Sequence, residues 1–174
     1  MTSNKINASA LALAFLLPGT FAGQAMAETP MSDHAFMLVG SWQCRSAEGS
    51  ESTWTVVKDG DASLTATNLM KSGGYQNITT DRGNPKVFSD RFMYDALHQE
   101  WRDRDVVSVT YNNVFEGTAQ PWTGNQWQFT GRYTNGSGGA GSPEMKTYSI
   151  VGPDAVRIQI TRGSYRSDST CTRA

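Results

Sequence analysis

Leu38-Val39-Gly40-Ser41-Trp42-Gln43-Cys44 and, far along the chain, Thr170-Cys171-Thr172 carry the only two cysteines of this 174-residue sequence. Both segments have the composition of short strands, and most of what lies between them also reads as short strands. A Cys44–Cys171 bridge would therefore staple the first strand to the last and close a sheet on itself. In the chain-entropy picture, closing a loop of more than about 100 residues stabilises by about 4–5 kcal/mol. The rival arrangement is one buried and one exposed thiol.

The compartment decides between these, and the N-terminus speaks to it. Lys5 supplies a positive start, residues 8–17 an apolar run, Pro18-Gly19 a break, and Ala25-Met26-Ala27 a small-x-small cleavage site. Residues 1–27 are thus expected to be an export signal and 28–174 a single mature domain. Export into an oxidising compartment, the periplasm or the medium, lets a disulfide persist. The apolar run is shorter than the roughly 20 residues of a membrane helix, so membrane insertion is not expected. No cysteine stands at the cleavage site to take a lipid.

The mature chain of roughly 147 residues suits one domain with one core. A formal charge of −1 offers no general attraction for nucleic acid or anionic lipid. Within it, strand after strand shows period-two alternation. Trp54 and Val56 alternate with Thr53, Thr55 and Val57, and Val156, Ile158 and Ile160 alternate with Arg157, Gln159 and Thr161. Asp59-Gly60-Asp61 offers a hairpin turn before residues 64–70. Further turns are marked at 72–74, 82–85, 117–124, 135–141, 152–154 and 162–164. Residues 87–94, 106–115, 126–133, 145–151 and 155–161 read as clear strands, 75–80 and 99–102 as weaker ones, and the first strand as starting at Phe36 after a polar lead-in. No mature segment shows helical periodicity.

Many short strands separated by Gly and Pro turns predict an all-β fold, either a sandwich or an antiparallel up-and-down barrel of about 8–10 strands. The barrel is favoured because its first and last strands are neighbours, and a bridge there locks the seam and removes exposed edges.

Several landmarks resemble a loose group of secreted bacterial domains with a lipocalin-like, or calycin-like, barrel. They are Gly40-Ser41-Trp42-x-Cys44, Tyr94-Asp95 before Trp101, Trp122-Thr123-Gly124-Asn125 leading to Trp127-x-Phe129-Thr130-Gly131, Thr147-Tyr148, and Thr170-Cys171. The resemblance covers most of the mature chain. It implies an eight-to-ten-stranded barrel whose interior is either filled or able to hold a small apolar molecule, and it carries no catalytic residue across. Nitrobindin-like haem barrels open on a Gly-x-Trp-x-Gly pattern and ligate iron through a late histidine. Here Cys44 stands where the second glycine would be and no histidine follows His98, so no haem or other cofactor is expected.

Alternation puts Trp42, Trp54, Trp127, Phe129 and Tyr148 on one face, where they either line a ligand cavity or plug the barrel. His34, placed in a mobile lead-in, and His98, in a hairpin, are too few for a zinc site or a hydrolytic triad. Gly136-Ser137-Gly138 lacks the strand-to-helix elbow of a reactive serine and reads as a loop, with 136–141 long enough to cover a barrel mouth. Asn77-Ile78-Thr79 and Asn135-Gly136-Ser137 match the glycosylation pattern, which is idle in a bacterial host. Arg102-Asp103-Arg104-Asp105 and Asp59-Gly60-Asp61 are expected to be solvated charge.

No nucleophile, metal set or perturbed carboxylate pair stands out, so an enzyme is not expected. Two readings remain. One is a binding module for a small apolar or amphipathic ligand. The other is an envelope protein with a filled barrel that meets a protein partner through its outer face or residues 117–124, with Pro121-Trp122 exposed.

Overall fold

A computed structural model describes residues 34–72, 87–107, 113–122, 124–134 and 141–174. The expected export signal, the weak strand at 75–80, both glycosylation patterns and the Gly136-Ser137-Gly138 loop lie outside these residues. The described chain opens on a one-turn 3₁₀ helix, His34–Leu38. Ten strands follow: β1 (Gly40–Ser46), β2 (Glu51–Gly60), β3 (Ser63–Ser72), β4 (Val87–Asp95), β5 (Glu100–Val107), β6 (Asn113–Ala119), β7 (Gln126–Thr134), β8 (Ser142–Gly152), β9 (Ala155–Arg162) and β10 (Tyr165–Arg173). Each pairs antiparallel with its sequence neighbours, and β1 pairs with β10, so the sheet is a closed barrel.

The expected staple is present. Cys44 and Cys171 stand directly opposite each other in the β1–β10 register and form a disulfide. Inward parity follows the cysteines. Trp42 shares Cys44's face, Trp54 and Val56 face in from β2, and Phe92, Trp101, Phe115, Trp127, Phe129 and Tyr148 complete an aromatic interior. Burying such rings supplies most of the apolar area that drives folding of a barrel this size.

Three sequence expectations are corrected here. The first strand starts at Gly40 rather than Phe36, because residues 34–38 form the 3₁₀ turn and tuck Ala35 and Leu38 completely inside. That turn closes one end of the barrel. The Trp42 indole N–H donates to the Leu38 carbonyl at 2.8 Å, and Arg173 donates to the Met37 and Val39 carbonyls at 3.1 Å each. Gly40 has φ +144° where the chain swings from the turn into β1, and a Cβ there would lie 2.5 Å from the Arg173 guanidinium. His34 accordingly belongs to the plug, its Nδ1 2.8 Å from the Gly124 carbonyl oxygen.

Second, Gly117 sits inside β6 and not in a turn. It pairs with Gly131, and the Phe115 ring occupies the place where a side chain at 117 would go. Third, the run at 106–115 is divided, its ends belonging to β5 and β6 with 108–112 outside the described residues.

Because strands alternate in direction, the two ends of the barrel differ. The 3₁₀ plug, the hairpins after β2, β4 and β8, and residues 120–122 and 124–125 gather at one end. The β1–β2 and β9–β10 turns lie at the other, together with the strand ends that flank 73–86, 108–112 and 135–140. The disulfide is the only covalent lock on the described seam, so replacing both cysteines by alanine is expected to cost about 3–5 kcal/mol in denaturant unfolding and to speed amide exchange in β1 and β10. A loss below about 1 kcal/mol would mean that strand pairing alone holds the seam.

Candidate functional site

The aromatic interior is not uniform. In the plugged half, Trp127 stacks on Trp122 with 5.6 Å between centroids, lies 4.5 Å from Phe129, and donates its indole N–H to the Gln120 carbonyl at 3.2 Å. Trp101 meets the edge of Trp127 at 5.4 Å and that of Phe36 from the plug at 5.9 Å. Trp122, expected to be exposed beside Pro121, is instead buried. Flanking Pro and Gly gave its segment the look of a surface loop, but its ring finds the face of Trp127.

In the other half the described residues leave a space. Among the described residues, a cavity of about 190 Å³ runs inward from the end that carries the β1–β2 and β9–β10 turns. Its outer part is lined by Glu48, Ser50, Tyr165 and Arg166 of the β1–β2 and β9–β10 turns. Deeper in it meets Trp54 and Tyr148, stacked at 5.9 Å and 14° as a floor, with Ile158 and Ile160 on one wall, Asn68, Asp90 and Asp105 on the other, and Lys146 reaching toward the carboxylates from its place beside Ile160. All five residues expected to line a site do face the interior. Only Trp54 and Tyr148 border the cavity; Trp42, Trp127 and Phe129 are covered by their neighbours and fill the plugged half.

The charged wall overturns the reading of Arg102-Asp103-Arg104-Asp105 as solvated. Trp101 points inward on β5, so Asp103 and Asp105 do too, while Arg102 pairs outside with Asp95 and Glu100, and Arg104 with Glu116. Lys146, two residues before Tyr148 on β8, projects between them. Its ammonium donates to Asp90 at 2.7 Å, Asp105 at 3.1 Å and Asp103 at 3.2 Å, and lies 4.4 Å from the centre of the Phe115 ring. The parity of Trp101 and Tyr148 was the sequence signal for this cluster. It was masked because the alternate positions on β5 are charged as well.

Burying one cation among three carboxylates shifts their titration. Burial, which disfavours the ammonium, is outweighed by Asp103, Asp90 and Asp105, and the Lys146 pKa stands well above the ordinary lysine value. Burial drives Asp103 well above the usual carboxylate range against the pull of Lys146, and burial together with the Asp90 charge raises Asp105 to about 7. Burial also raises Glu144, which pairs with Arg162 at 3.4 Å. The ammonium fills the space among the three carboxylates, and among the described residues no group of His, Cys, Asp and Glu is arranged to hold a metal. His98 lies outside on the β4–β5 turn, more than half exposed and 2.8 Å from Asp95.

No known protein family and no curated protein matches the chain. Among solved structures it is similar to a redesigned β-barrel at 11% identity and TM-score 0.44, covering 82% of this chain and 96% of that one. It is also similar to a de novo designed fluorescence-activating β-barrel at 16% identity and TM-score 0.40, covering 82% and 98%. A redesigned β-barrel bound to DFHBI matches at 12% identity and TM-score 0.40, covering 82% and 99%.

The buried carboxyls set the pH dependence of stability. A carboxyl with a raised native pKa keeps a proton that the unfolded chain has already lost, so stability falls as pH rises from 3.8 through about 7 for Asp105. Asp103 and Glu144 act in the same sense. Asp59, Asp95 and Asp168, held low first by hydrogen bonds from Ser63, His98 and Arg157, contribute fully above 3.8 and lose their effect only below it. Urea unfolding is therefore expected to give a native state more stable at pH 5 than at pH 8 by roughly 2 kcal/mol, with a smaller difference in Asp105→Asn. A flat or opposite trend would contradict the buried cluster.

Proposed function

We propose that the protein is an exported binding module for a small amphipathic molecule, which enters at the end of the barrel that carries the β1–β2 and β9–β10 turns and lies against Trp54 and Tyr148. The observation that carries this reading is the 190 Å³ cavity. Protein interiors are otherwise close-packed, and an apolar cavity of about 150 Å³ is enough to hold benzene. Drug-sized ligands occupy pockets of about 300–1,000 Å³, so the occupant is a molecule of about one ring. A flat aromatic floor opposite a wall of polar groups suits a ligand with an apolar body and a polar end.

The export signal expected from residues 1–27, together with the disulfide, supports a periplasmic or secreted site of action. The reading is of a binder rather than an enzyme. A lysine that acts as a nucleophile or base needs a lowered pKa, and Lys146 is held as a cation by its three carboxylates. An envelope role through exposed Pro121-Trp122 loses its aromatic anchor, because Trp122 is buried against Trp127.

Titration of the mature protein with 2-phenylethanol, followed by calorimetry and by the Trp54 indole N–H resonance, is expected to show saturable binding. The Kd should be on the order of 0.1–1 mM for so small a molecule. Ser52→Phe, which places a ring in the cavity, is expected to abolish it while the barrel stays folded by circular dichroism. Binding that survives this substitution would place the ligand elsewhere.

A further inference from the structure

Resting on the cavity reading above, the polar groups that reach the open space set the charge of the ligand. The Lys146 ammonium has three N–H donors, and carboxyl oxygens of Asp90, Asp103 and Asp105 take all of them. Burial raises Asp103 well above the carboxylate range and Asp105 to about 7, so at pH 6 both are mostly protonated and the cluster carries little net charge. Its partnerless oxygens, Oδ1 of Asp103 and of Asp105, are sealed from solvent, as is Asn68 Oδ1. At the mouth Glu48 and Arg166 are opposite charges exposed to water, and Arg166 donates to the Gly163 and Tyr165 carbonyls of its own turn. A ligand that carried a charge into this cavity would lose its hydration and find no partner for it.

The hydrogen-bonding groups that are open to the cavity lie on the seam. With Cys44 facing in, Ser46 on β1, Ser52 on β2, and Ser167 and Ser169 on β10 face in too, and all four line the cavity. Ser46 Oγ already accepts the Ser50 backbone N–H at 3.1 Å. Ser52 differs. It is only 7% exposed, yet among the described residues its hydroxyl has no hydrogen-bond partner, and unlike the carboxyl oxygens it is not sealed off. It stands opposite Cys44 and two residues from Trp54, so one same-face step of about 6.5 Å along β2 separates it from the aromatic floor. Apolar side chains flank the seam on both sides: Met70 is opposite Ser52 on β3, and Ile158 and Ile160 are opposite Ser169 and Ser167 on β9.

We propose that the ligand is an uncharged molecule, a ring bearing a hydroxyl or amide end, whose ring lies on the Trp54–Tyr148 floor while its polar end meets the Ser52 hydroxyl, with Ser167 and Ser169 on the other side of β1. A serine hydroxyl both donates and accepts, so it serves either group. Amines, carboxylates and phosphates are selected against by the balanced charge of the cluster.

The test compares four probes of similar shape on the mature protein at pH 6: 2-phenylethanol, phenethylamine, phenylacetate and ethylbenzene, the last kept below its solubility limit. The alcohol is expected to bind tenfold or more tighter than the amine and the carboxylate. In Ser52→Ala the alcohol is expected to weaken fivefold or more while ethylbenzene changes less than twofold. An alcohol advantage below tenfold over either charged probe overturns the uncharged ligand and leaves the cavity reading standing. A smaller loss of the alcohol in Ser52→Ala, or an equal loss of ethylbenzene, overturns the assignment to Ser52. Failure of all four probes defeats the cavity reading and this inference together. The unmutated protein decides the charge of the ligand even if the variant does not fold.

Discussion

Pairing of β1 with β10, fixed by Cys44–Cys171, is the constraint on which the rest of the structure depends. It turns ten strands into a tube without edges, and it assigns every residue to an inside or an outside by counting from a cysteine. The consequence reaches across the barrel. Once Cys44 faces in, so does Trp42, which stands opposite Trp54 on β2, and the count continues strand by strand to Tyr148, opposite Trp127. Residues that share a face this way include carboxylates and a lysine, which no burial preference alone would place there.

The interior that results is divided by chemistry. Tryptophan and phenylalanine rings, tightened by the 3₁₀ plug and strapped by Arg173, fill one half. A single ammonium among three carboxylates occupies the wall of the other. Burying these charges is unfavourable by itself, and replacing such a cluster by apolar side chains often stabilises a protein. Among the described residues, Trp54 and Tyr148 border the open space of the cavity. A polar wall kept at the edge of an unfilled volume is where a ligand group would be recognised.

Much of the fold was legible in the sequence because its signals are local: alternation in β2 and β9, Gly-containing turns, and one cysteine on each terminal strand. The 3₁₀ turn was not legible, since five residues are too few to show a period. Trp122 was misplaced because turn residues around it report the backbone and not where the ring goes. The site was half legible. Trp54 and Tyr148 announce themselves as inward aromatics, but Asp90, Asp105 and Lys146 look like surface residues until the barrel brings β4, β5 and β8 together. The charges on β5 alternate in sign between the two faces, so only the parity of Trp101 separates Asp103 and Asp105 from Arg102 and Arg104.

The most direct measurement is a crystal structure of the mature protein grown with 2-phenylethanol. The account predicts the ring on the Trp54–Tyr148 floor, with Lys146 still held by Asp90 and Asp103. An interior closed by rearranged side chains, with Asp105 and Lys146 turned to solvent and no probe inside, would contradict it.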